Sequence, residues 1–228
     1  REEVRMSRRF TVIDAEQRSQ AWKAARVGRL TASRAKDVLA HIKSGEAAAR
    51  RDLRTQIVLE RLTGEPQDSD FVNADMQRGL DLEADAFAAY EAVTGRMASR
   101  CGFVAHNELL IGCSPDGVLD DFDGILELKV PRSATHLGYL RAGAVPPEHR
   151  PQVIHALWVT GAGYCDFLSY DPRFPDGMQT CYVRVDRDER EIAEYATKAL
   201  TFLDEVANEY EAVRTMWCVG AVLREVVA

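Results

Sequence analysis

Nowhere in the 228 residues is there an apolar run near the roughly 18 residues that a membrane-spanning helix needs. The opening "REEVRMSRRF" lacks the apolar centre of a signal peptide, so no export signal is expected there. Cysteine is sparse: Cys101, Cys113, Cys165, Cys181 and Cys218 are odd in number, scattered, and never spaced Cys-x-x-Cys. That pattern argues against a disulfide scaffold, a zinc ribbon or a clustered iron–sulfur site. It suits small buried hydrophobes in a reducing cytosol. There is no internal repeat, low-complexity tract or Pro/Gly-rich linker, so one domain over residues 1–228 is expected.

What is present is the composition of a globular protein, 46% hydrophobic and 29% charged, at a length that can bury a sizeable core. The net charge of −7 conceals a gradient. Residues 1–63 hold 15 Lys+Arg against 8 Asp+Glu, while residues 64–228 hold 14 against 28. A basic N-terminal part beside an acidic remainder suits a phosphate-binding surface next to a cation-binding site, and equally an ordinary solvated helix surface.

The first third reads as helices: "EQRSQAWKAAR", "TASRAKDVLA" with Thr31 or Ser33 as N-cap, and "EAAARRDLRTQIVLERLTG" with Leu53, Ile57 and Leu62 inward and Gly64 as stop. "DMQRGLDLEADAFAAYEAVTG" reads as one further helix closed by Gly95. From about residue 97 short strands follow: "SRCGFVAH", "LLIGCSPDGVLD" and "GILELKV" as a meander. After two helices, "SATHLGYLRAG" and "PEHRPQVIHALWVTG", come the strands "YCDFLSYD" and "TCYVRVDRD". A last helix carries Ile192, Tyr195, Ala199, Phe202, Val206, Tyr210 and Val213 on one stripe. The expected fold is α/β (α+β-like), a central mixed sheet flanked by helices. Its parts are a basic helical segment over 1–63, a core over about 74–185 and a C-terminal helix over about 187–217.

The chemistry is concentrated in "SPDGVLDDFDGILELKV", residues 114–130. Alternate residues of a strand share a face, so Glu127 and Lys129 project together with Ile125, and Leu126, Leu128 and Val130 point the other way. A carboxylate on such a face needs a compensating charge. Lys129 is one; a hard divalent cation shared with Asp116 is another, since Mg²⁺ takes one or two carboxylates and keeps waters or phosphate oxygens elsewhere. A lone Glu-x-Lys is common on strand edges, but an Asp on the preceding strand makes the set more specific.

This arrangement resembles the PD-(D/E)xK nuclease superfamily, with its restriction-endonuclease-like core. More narrowly it is similar to the lambda-exonuclease (YqaJ-type viral recombinase) family. The likeness rests on "WKAARVGRLTAS", "RGLDLEADAFAAYEAVTG", "CSPDG", "LELKVP", "PQVIHALWVTG" and "YDPR", in family order over nearly the whole chain. It implies a Mg²⁺-dependent 5′→3′ exonuclease on linear duplex DNA that leaves 3′ single strands for an annealing protein. Two ions are implied, with Mn²⁺ able to substitute, in a homotrimeric ring in the host cytosol. By the same likeness Asp116, Glu127, the Leu128 carbonyl and Glu83 are metal ligands, and Lys129 and Gln152 are catalytic. Where relatives often carry a second glutamine, this chain has Ile154. Arg26, Ser33 and Ser114 match the pocket for a terminal 5′ phosphate, and Lys43 a loop residue tracking the backbone. Thr135 and His136 stand where the best-known member has an arginine on DNA. An endonuclease with the same core, and a DNA-end-binding factor with a vestigial site, are the alternatives.

Overall fold

The computed structural model describes residues 8–67 and 73–225, with side chains to residue 217. Cys218 and most of the opening "REEVRMSRRF" therefore lie outside the described side chains. Two mixed four-stranded sheets are present among the described residues. One has the order β1 (Phe10–Ile13), β3 (Phe103–His106), β4 (Ile111–Cys113), β2 (Leu30–Thr31). The other has the order β5 (Gly117–Leu119), β6 (Gly124–Lys129), β7 (Tyr164–Tyr170), β8 (Thr180–Asp186). The helices are α1 (Gln20–Arg26), α2 (Ala35–Val38), α3 (Ala48–Thr63), α4 (Ala74–Asp81) and α5 (Glu83–Thr94), then α6 (Ser133–Ala142), α7 (Arg150–Thr160) and α8 (Glu189–Glu225).

The mixed sheet flanked by helices is as expected, but it is parted in two. The segment "LLIGCSPDGVLD" is not one strand: its halves β4 and β5 belong to different sheets, and Ser114-Pro115-Asp116 is the crossing. In β6 the alternation holds, yet both faces are buried. Ile125 packs into the main core with Phe167 and Leu157, whereas Leu126 and Leu128 meet Ala86 and Tyr90 of α5 in a second cluster. The second sheet thus lies between α5 and α7, and residues on either face of β6 are shielded from bulk water.

Helix ends follow their local chemistry. Ser19 caps α1, its Oγ accepting the Trp22 N–H at 3.2 Å, and Gly64 and Gly95 close α3 and α5 in the left-handed conformation that non-glycine residues resist. Three expectations need correction. Thr31 ends β2 and stands at the N-cap position of a short 3-10 turn over Ala32–Arg34, but neither it nor Ser33 makes a side-chain capping bond: the two hydroxyls lie 3.3 Å from each other. Leu53 and Ile57 are buried as expected, but Leu62 is exposed, and the inward face of α3 is completed by Val58 and by Glu60, whose carboxylate accepts the Gly28 N–H. The long helix over 75–94 breaks at Leu82 (φ −103°, ψ 3°), which places Glu83 in the first turn of α5.

Much of the basic charge at the N-terminal end is answered within the molecule. Arg50 forms a two-pronged pair with Glu205, and Arg54 bonds Glu209 at 2.7 Å, both acids on α8. Those pairs, with the buried Ile192, Tyr195, Ala199, Phe202 and Val206, fix α8 against α3 and α7. Tyr210 and Val213 are only partly covered. Cys113, Cys165 and Cys181 are buried free thiols, and burial pushes the partly covered Cys101 up to about 11. No helix among the described residues is long and apolar enough to cross a membrane.

One core residue makes the fold sensitive to acid. His155 of α7 is fully buried against the Tyr195 hydroxyl at 2.8 Å, and burial pulls its pKa down to about 3. In the unfolded chain it titrates near 6.5. Above that pH both states are neutral and it contributes nothing; below it only the unfolded state gains the proton. Stability is expected to fall from about pH 6.5 downward, by roughly 2 kcal/mol at pH 5 from this residue. Urea melts at pH 7.5 and pH 5 check it: His155→Phe should show a shallower pH slope than the parent, and an equal slope would clear His155 of the effect.

Candidate active site

The crossing between the sheets delivers Asp116 onto β6. Its backbone N–H donates to the Leu126 carbonyl at 3.0 Å, and its Oδ2 accepts the Leu128 N–H at 2.6 Å. Between those two β6 residues, Glu127 is only 5% exposed. Its Oε1 accepts the Lys129 ammonium and the Gln152 amide, the latter at 2.6 Å from α7. Each carboxylate therefore has one oxygen engaged. Asp116 Oδ1 and Glu127 Oε2 accept no hydrogen bond from the described residues.

The electrostatics follow from this crowding. Burial and then the neighbouring Glu127 charge push Asp116 up to about 7, partly opposed by Lys129 and the Leu128 N–H. Burial works to lower the Lys129 pKa, but Glu127 and Asp116 together raise it above its ordinary value. Lys129 is thus a fixed ammonium in this arrangement, suited to orienting a water or countering negative charge rather than to removing a proton.

These groups line a cavity of about 430 Å³, with Arg26, Ser33, Ser114 and Glu83 also on its wall. Glu83 is about one-third exposed and paired with Arg100, and its charge contributes to raising Asp116. The three acids share one cavity, but no group of three or more among the described residues is already close enough to cage an ion. Two carboxylates with open oxygens, a main-chain segment and room for water fit an ion that keeps most of its waters, such as Mg²⁺ or Mn²⁺; they do not fit a soft metal.

At the far side Arg26 lies 4.0 Å over the Trp22 ring, whose Nε1 donates to Ser114 Oγ at 2.8 Å. Trp22 thus ties the arginine to the loop carrying Asp116. Its indole stood in the matched segment without marking itself as part of the site, since the contact joins residues 92 apart. Gln17, which donates to the Pro115 carbonyl at 3.2 Å, was missed for the same reason.

Three assigned positions lie elsewhere. Lys43 and Thr135 are exposed and do not line this cavity. His136 is fully buried: Nδ1 lies 2.7 Å from Ser169 Oγ, Nε2 lies 2.9 Å from the Met178 carbonyl, and the ring meets the Phe174 edge-on. With both nitrogens engaged inside the protein, His136 has nothing to offer DNA. Ile154, where the resemblance implies a second glutamine, is likewise core, 2% exposed.

The family model described as a YqaJ-like viral recombinase domain matches residues 21–163. The crystal structure of an alkaline exonuclease, LHK-Exo, from Laribacter hongkongensis is 37% identical with a TM-score of 0.77, covering 87% of this chain and 97% of that one. LHK-Exo in complex with dAMP is similar at 38% identity and TM-score 0.78, with the same coverage. A phage related exonuclease from Haemophilus somnus 129PT shares the fold at 15% identity and TM-score 0.60, over 79% of this chain and 96% of that one. No curated protein matches the chain.

Proposed function

The chain belongs to the YqaJ-like viral recombinase domain family, and on that premise we propose that it is a divalent-metal-dependent exonuclease digesting linear duplex DNA from 5′ ends. One observation carries the reading. Asp116 and Glu127, each with one oxygen left open among the described residues, line a cavity together with a fixed ammonium, an arginine and serine hydroxyls. A vestigial site would have no reason to keep a buried acid and a half-buried one beside a lysine.

Asp116, Glu127, the Leu128 carbonyl and Glu83 would hold one or two Mg²⁺ ions, or Mn²⁺, which when bound supply Lewis-acid polarisation of the scissile phosphate and of water. Gln152 fixes the Glu127 carboxylate, and Lys129 orients the water and offsets the charge that develops on the phosphate. Arg26 provides the planar fork for a terminal 5′ phosphate, with Ser33 and Ser114 donating. Ser114 already accepts from Trp22, which leaves its own proton for the phosphate. Recognition by phosphate rather than base implies weak sequence preference. Lys43 and Thr135 are left to meet duplex lying outside the cavity. The solved dAMP complex of a relative supports end-wise digestion, because a mononucleotide is its product. A ring-shaped homotrimer and a single-strand annealing protein as partner belong to the same reading, as does work in the host cytosol.

The test is a digest of end-labelled linear duplex and of covalently closed circles, with and without Mg²⁺. Turnover should require the metal and spare the circle. It should favour a 5′-phosphorylated end over a 5′-hydroxyl by about tenfold or more, the scale of a charge-assisted contact. Cutting of the circle would make the protein an endonuclease, and indifference to the 5′ phosphate would remove Arg26 from its assigned role.

A further inference from the structure

The turn ahead of α1 carries a residue that the nuclease reading does not use. Ser19 N–H donates to the Glu16 carbonyl at 3.0 Å, closing a turn whose third residue is Arg18 with φ 74°. That left-handed position favours glycine, and arginine occupies it at a cost in backbone strain. The Arg18 side chain is exposed and makes no hydrogen bond or ion pair with any described residue. The turn itself is held firmly, because Gln17 donates to the Pro115 and Cys101 carbonyls, the first of these one residue before Asp116.

Arg18 lines the same cavity as Asp116, Glu127 and Arg26. It also lines a neighbouring cavity that shares Glu83 and Gln17 and continues past Arg100. Arg26 is the last residue of α1 and Arg18 precedes its N-cap, so the helix, about 10 Å long, separates their two backbone positions along the cavity wall. A strand whose terminal phosphate sits at Arg26 and whose scissile phosphate sits at the two acids leads its next phosphate toward the Glu83 side, where Arg18 stands.

We propose that Arg18 is a substrate-binding residue that takes the phosphate on the 3′ side of the scissile bond, the third phosphate from the 5′ end. This rests on the exonuclease reading above. Arg18 holds the strand in register after each cut and does not touch the reacting atoms, so it acts on KM and on salt dependence more than on kcat.

The experiment compares the parent with Arg18→Gly on two 5′-phosphorylated duplexes, one natural and one with a neutral methylphosphonate at the third phosphate. Glycine removes the side chain and relieves the turn, so a failure to fold is not expected, and a melting curve checks it. On natural duplex the variant should show KM raised about tenfold with kcat nearly unchanged, and a salt slope shallower by about 0.9. On the methylphosphonate duplex parent and variant should coincide, since each change removes the same contact. If the parent digests duplex but Arg18→Gly matches it on natural DNA, the inference falls and the exonuclease reading stands. If the variant is impaired equally on both duplexes, Arg18 meets a different phosphate and the assignment is overturned. A parent that fails to digest either duplex overturns the exonuclease reading and this inference with it.

Discussion

Lys129→Ala is expected to lower kcat by about a hundred- to a thousandfold while duplex affinity, measured with Ca²⁺ in place of Mg²⁺, stays within a few-fold. The Lys129 ammonium is bonded to Glu127 and held protonated by two carboxylates on a strand flanked by core on both sides. Its charge is preorganised where negative charge grows during phosphodiester hydrolysis, and it needs no reorganisation at that moment. DNA affinity comes instead from phosphate contacts spread over the surface, so it should be nearly indifferent to one partly buried lysine. Lys129→Gln, which keeps a donor and loses the charge, separates hydrogen bonding from electrostatics and should be nearly as slow as alanine. Single-turnover rates with Mg²⁺ and filter binding with Ca²⁺ read the two quantities apart. Equal loss of binding and turnover would favour a DNA-end-binding module; unchanged turnover would remove Lys129 from catalysis.

The parts of this site that a reader of the sequence can see are those set by neighbours along the chain. Glu127 and Lys129 share a face because strand geometry alternates, and that holds whatever surrounds β6. What could not be seen depends on contacts far apart in sequence. The strand pattern of "LLIGCSPDGVLD" is continuous, and only the pairing of β4 with β3 and of β5 with β6 shows that Asp116 stands at a seam between sheets. Strand β2 is two residues long and β1 four, too short for any periodicity to register. On α6 the apolar pattern does not reveal which side faces β7, so exposed Thr135 and buried His136 looked alike. The basic surplus over residues 1–63 suggested an outward phosphate-binding face, but Arg50 and Arg54 reach acids about 155 residues later on α8. Charge counts report composition; pairing decides where the charge is available. Arg18 is the sharpest instance, since a left-handed backbone at an arginine leaves no trace in residue type.

The largest effect on stability is expected at Asp171, in the segment "YDPR" just after β7. Its carboxylate is fully buried and accepts from Arg173 Nε and Nη2 at 2.8 Å, Ser133 Oγ at 2.6 Å, Arg78 Nη2 at 3.1 Å and the Arg173 N–H at 3.1 Å. Arg78, from α4, also donates to the Pro131 carbonyl just beyond Lys129. One acid thus fastens the helix leading to Glu83, the exit of β6 and the start of α6. Asp171→Ala leaves two guanidiniums facing each other without their anion. Breaking a buried pair costs about 3–5 kcal/mol, and the lower end applies because Arg173 is more than half exposed. At about 3 kcal/mol the melting temperature should drop by roughly 6–12 °C. Burial alone would raise the Asp171 pKa, but the bonds from Arg173 and Ser133 outweigh it and hold the carboxyl well below the usual range. Its contribution is therefore complete above the unfolded aspartate value of about 3.9 and disappears as pH falls through the folded value. Calorimetry across pH 7 to pH 2 should show the parent approaching Asp171→Ala at the acid end. A constant gap between the two curves would mean that the charge of Asp171 is not what holds these elements together.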